Sequence, residues 1–190
     1  MMAAAGANFE GVTREDIVAA FRAAMIGHFR AHTPGTNINR ATLLASDYLN
    51  HFHELVMLVE AVASSPDEFK QDLFAWRPLT YEEHFAASGF RDKSLAVAAY
   101  RKAPPEVRMR FDEAVNAMNA DAVELVDGIA KALKKRGRRE VQERCEEATA
   151  RLRMHIERTN SIPTGTPPEQ QASFENGGLP PQAVADVLFD

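Results

Sequence analysis

Apolar residues in this chain recur every three or four positions over long stretches and almost never alternate. That period belongs to helices with one apolar face. Thr13 can cap a first helix, with Glu15 and Asp16 at the positive end of its dipole. Ile17, Phe21, Met25 and Phe29 then follow at helical spacing until Pro34-Gly35. Asn37 to Asn39 offer caps for a second helix that is expected to run to about Ser64. Its stripe is Leu44, Tyr48, Phe52, Leu55, Val59 and Val62, widened by Val56 and Leu58. A stripe that wide predicts a central helix with several neighbours.

Short helices are predicted next. One starts at Ser65-Pro66 and ends at Trp76, with proline in its first turn. A second opens with Thr80 and Glu83, the spacing of a capping box, and stops near Gly89. A third covers 92–102. After Pro104-Pro105 the longest predicted helix spans 106–136. Phe111, Val115, Met118, Ala122, Leu125, Ile129 and Leu133 form a near-heptad seam along it. Gly137 follows a cationic last turn, and the pattern resumes with Val141, Cys145, Ala148, Leu152 and Ile156. We read Gly137 as the turn of an antiparallel hairpin.

After Ile162 the pattern breaks. Residues 163–178 are rich in Pro and Gly and carry almost no apolar side chains. Hydrophobicity returns in 179–190. The expected organisation is a flexible N-terminus (1–12), a helical bundle (13–162), a linker (163–178) and a short amphipathic docking segment (179–190). The predicted fold class is all-α: a multi-helix bundle with a long C-terminal helical hairpin and a flexible tail.

Composition narrows the function. The chain has 190 residues, 45% hydrophobic and 26% charged, as expected for a domain with a sizeable core. A formal net charge of −5 argues against nucleic acid and anionic membranes as partners. The basic run 131–139 holds six Lys/Arg in nine positions, and the expected role is a solvated helix end. A single cysteine, Cys145, can form neither an internal disulfide nor a zinc cluster, and it falls on the seam, where it is expected to be buried. The start lacks the features of a signal peptide, and no stretch approaches the roughly 18 apolar residues that span a bilayer. A cytoplasmic location is expected.

Three constellations could carry chemistry. Asp47, His51 and Glu54 share one shoulder of the second predicted helix, so a divalent metal ligated by a carboxylate and an imidazole is one alternative. The competing expectation is no cofactor, with solvated acids and a hydrogen-bonded histidine. His28 and His32, also four apart, fall under the same two readings. His53 should be exposed, opposite the core stripe. His53-Glu54-Leu55 resembles the start of the phosphoacceptor box of histidine kinases, which implies His53 as phosphoacceptor of a phosphotransfer module.

The third constellation is the tail. Leu179, Val184, Val187 and Leu188, with Phe189 beside them, fit the apolar face of a short helix that Pro180-Pro181 would start. A helix so short needs a partner for that face, and a tether raises the local concentration for docking. Gln182, Asp186, Leu188 and Phe189 are similar to the receiver-docking peptides of chemotaxis phosphatases and flagellar switch proteins, while Val184 and Ala185 depart from that pattern. The resemblance implies a response-regulator receiver as partner. It does not carry phosphatase activity, because no catalytic Asp-x-x-x-Gln matches in the long helices. The leading expectation is therefore a non-enzymatic interaction or regulatory protein that binds another protein through Leu179, Gln182, Val184, Asp186, Val187, Leu188 and Phe189. Metal binding and His53 phosphotransfer stand as alternatives, and the seam leaves a homodimer open.

Overall fold

The computed structural model describes residues 12–135 and 137–165. Seven α-helices occur among them: α1 (Arg14–His32), α2 (Asn50–Ser64), α3 (Pro66–Ala75), α4 (Tyr81–Ala87), α5 (Lys93–Lys102), α6 (Pro105–Lys135) and α7 (Arg138–Thr164). A 3-10 turn, Ser46–Leu49, leads into α2. No strand occurs among the described residues, only an isolated bridge between Ile38 and Ala45. The chain is an all-α bundle. No described helix is long and apolar enough to cross a membrane.

The helix starts follow the local chemistry. Thr13 accepts from Asp16 N at 3.1 Å, and Thr13 N donates to Asp16 Oδ2 at 2.9 Å. Thr80 and Glu83 make the same reciprocal pair at the head of α4. Each box satisfies two backbone donors that the helix itself leaves unpaired.

The hairpin of α6 and α7 is the frame of the molecule, and α2 packs along α7. The two seams close on each other: Phe111, Met118, Ala122 and Ile129 from α6, and Cys145, Ala148 and Leu152 from α7, are all buried. Leu55, Val59 and Val62 of α2 fill the remaining side and are fully buried. The antiparallel register is also set by polar contacts. Arg151 of α7 forms an ion pair with Asp121 of α6, and His155 Nε2 lies 3.2 Å from the same carboxylate.

The second helix differs from its sequence reading. It begins at Asn50, or at Ser46 with its 3-10 turn, and residues 33–45 form a loop. The asparagine expected to cap a helix caps a turn instead. Asn39 Oδ1 accepts from Ala41 N at 2.8 Å and Thr42 N at 3.1 Å. This is the same short-range chemistry used in a different conformation. Within the loop Leu43 is fully buried at φ 60°, in the left-handed region that a non-glycine residue adopts at a cost of about 1–2 kcal/mol. Burial of its side chain and the bond from its N–H to Asn39 O (2.8 Å) hold it there.

The loop in turn closes the end of α7. Asn39 Nδ2 donates to Thr164 O at 3.0 Å, and Thr42 Oγ1 donates to Pro163 O at 2.8 Å. These bonds satisfy carbonyls that the last helical turn leaves without partners. They also explain why α7 continues through Pro163 and Thr164, two residues past the linker boundary that composition suggested.

Candidate functional site

The structure places the three candidate metal ligands in different settings. Asp47 belongs to the 3-10 turn and not to α2, so the spacing of an α-helix does not relate it to His51. Its carboxylate accepts from Asn37 Nδ2 at 3.3 Å. His51 is buried in the first turn of α2, where its Nε2–H donates to Arg77 O at 3.0 Å and its ring stacks on Trp76 with centroids 5.3 Å apart. Glu54 is exposed. Among the described residues no three His, Cys, Asp or Glu side chains are placed to hold a metal ion together. The rings of His28 and His32 lie 4.3 Å apart, tilted by 38°, and His32 Nδ1–H donates to His28 O.

His51 belongs instead to an aromatic group that joins α2 to α4. Its ring lies 6.2 Å from that of His84, which sits edge-on to Tyr48 at 5.6 Å. Burial pushes both imidazoles below the usual histidine range, while the Glu54 carboxylate pulls each the other way. Tyr48 donates to Leu79 O at 2.7 Å, and burial raises its phenol to about 12. Tyr81 accepts from Ala45 N at 2.9 Å. The two phenols therefore tie the start of α4 to residues 45–48 and stay neutral while doing so.

His53 is exposed, as its position opposite the core stripe implies. It lines a polar cleft of about 460 Å³ together with Asn37, Asp47, Asn50 and Asn160. Cys145 is buried against the hairpin, which raises its thiol to about 11, and at neutral pH it is protonated. The tail residues Leu179, Gln182, Val184, Asp186, Val187, Leu188 and Phe189 lie outside the described residues.

The sequence reading missed the face of α1. Of the stripe Ile17, Phe21, Met25 and Phe29, only Phe29 is buried. Ile17 is 61% exposed, Val18 49% and Phe21 63%. The principal neighbour of α1 is α5. Where α1 passes the junction of α5 and α6, a groove of about 250 Å³ opens. Its apolar floor is Val18, Phe21, Met25, Ala103 and Pro105, and its rim carries Arg22, Arg101, Lys102 and Arg108. Arg101 is already paired with Glu82, and Arg108 Nη1 donates to Arg101 O at 3.2 Å. The groove thus joins exposed apolar surface to a local excess of positive charge in a protein whose net charge is −5. The narrow stripe beside Arg22 was visible in the sequence. The three cations from 101–108 were not, because only the tertiary fold brings them to α1.

No protein-family model, curated protein or solved structure matches this chain. The fold assigns the chain to the class of all-α bundles.

Proposed function

We propose that this protein is a non-enzymatic interaction module with a regulatory role. Its binding surface is the face of α1, and the chemistry it suits is an acidic, amphipathic helical segment of a partner protein. The observation that supports this reading is the cation-rimmed apolar groove formed by Val18, Phe21 and Met25 with Arg22, Lys102 and Arg108. A protein gains nothing from leaving Val18 and Phe21 about half or more in water, since covering what remains open would stabilise by roughly 1 kcal/mol each. Exposed apolar surface with a polar rim is characteristic of protein-docking sites. The rim selects for carboxylates and speeds their approach.

The sequence of 179–190 supplies the second half of the reading. Its similarity to receiver-docking peptides makes a response-regulator receiver the partner class for the tail. The protein would then act as an adaptor, with the groove on one side and the tail on the other.

Titration of the full chain with a synthetic acidic amphipathic peptide, followed by amide chemical shifts, tests the surface. Shifts should cluster at residues 17–25 and 101–108, and Phe21→Asp should remove them. Shifts spread elsewhere, or unaffected by Phe21→Asp, would refute the surface.

A further inference from the structure

We infer that the groove on α1 is an intramolecular docking site for the chain's own segment 179–190, so that the free protein is autoinhibited. This inference rests on the reading of α1 as a docking surface and names what covers that surface before a partner arrives.

Charge complementarity is the first argument. Residues 166–190 contain Glu169, Glu175, Asp186 and Asp190, and no Lys or Arg. The groove they would meet is rimmed by Arg22, Arg101, Lys102 and Arg108. Val184, Val187 and Leu188, three and four residues apart, would present one apolar edge to Val18, Phe21 and Met25, and the tail's net negative charge favours its approach to the cationic rim.

Reach is the second. The end of α7 and the end of α1 meet at the same loop: Thr164 O accepts from Asn39, and Arg30 Nη2 donates to Ala41 O at 3.2 Å. Phe21 lies nine residues before Arg30, about 14 Å along the helix axis. Residues 166–178 number thirteen, with a contour length of about 43 Å. Their root-mean-square span as a coil is about 20 Å. The tether's contour is about three times the helix leg from Arg30 to Phe21, and a flexible linker that can span its sites gives an effective concentration on the order of millimolar. A second copy of the chain offers the same chemistry without that advantage.

The consequence is mutual exclusion. While the tail lies on α1, neither the groove nor the tail's apolar face is open to a partner, and a partner that binds either one frees the other.

A synthetic peptide of residues 179–190 serves as the probe. It is titrated into the full wild-type chain and into the full-length double variant Leu188→Asp/Phe189→Asp, with amide shifts of α1 as readout. The double variant should bind the peptide at α1 about tenfold more tightly than the wild type, the factor expected when the tail's effective concentration is about ten times the peptide Kd. A second full-length variant, Asp186→Lys/Asp190→Lys, should release the groove in part, and the difference from wild type should shrink in high salt. Equal affinity for wild type and double variant would overturn the intramolecular contact and leave the docking surface standing. Absence of binding to either would overturn both. A wild-type affinity that rises on dilution of the protein would assign the occupant to a second copy, and the intramolecular contact would again fall.

Discussion

α1 and α7 carry the same kind of apolar stripe and meet opposite fates. Val141, Cys145, Ala148, Leu152 and Ile156 of α7 are all buried. Ile17 and Phe21 of α1, spaced in the same way, lie open to water. The difference lies in the neighbours. α7 runs between the long α6 on one side and α2 with its leading 3-10 turn on the other, whereas α1 has the short α5 as its main partner. A period of 3.6 says which face of a helix is apolar and nothing about what covers it. In α7 that face stabilises the fold, and in α1 it is available for binding.

Substitutions can break this contrast, and the largest effect is expected in the hairpin. Leu152 is fully buried between the long helices, so Leu152→Ala should cost about 2–5 kcal/mol, read as a lower denaturant midpoint. Asn39→Ala comes next. It removes two bonds that hold the strained loop around Leu43 and one that caps α7, and the expected loss is about 1–3 kcal/mol.

Acid should act through the α2–α4 contact. Burial holds His51 and His84 below their ordinary range, so the unfolded chain takes up protons first. Stability should therefore be level above about pH 6.5 and fall as the pH drops below that value toward the folded-state pKa values. In His51→Gln/His84→Gln the fall should be shallower, as read from denaturant midpoints across the pH series. A slope unchanged by both substitutions would shift the origin of the acid sensitivity elsewhere.

The smallest effect on stability is expected on α1. Phe21→Asp should alter unfolding free energy by no more than about 0.5 kcal/mol while abolishing peptide binding at the groove. A loss as large as that of Leu152→Ala would mean that α1 is part of the core and would erase the contrast.

Much of this architecture is legible in the residues. Thr13 with Asp16 and Thr80 with Glu83 mark helix starts because a short side chain reaches the orphan N–H groups three residues on, whatever the rest of the fold does. The break at Gly137 and the paired seams predict the hairpin, and the structure has it. The stretch 37–45 misleads because Asn39 caps a turn as readily as a helix, and because Leu43 and Leu44 continue the apolar period without being helical. Asp47 then falls outside α2, and with it the geometry on which joint metal ligation with His51 and Glu54 depended.

Local chemistry determined the helices, their caps and their apolar faces, since each depends on side chains within four residues of one another. Tertiary structure alone decided which faces are covered. It also brought Lys102 and Arg108 to the side of Phe21, some 80 residues away in the chain, and led the ends of α1 and α7 to one loop. Such meetings depend on how whole helices stack, and no spacing within a single helix encodes them.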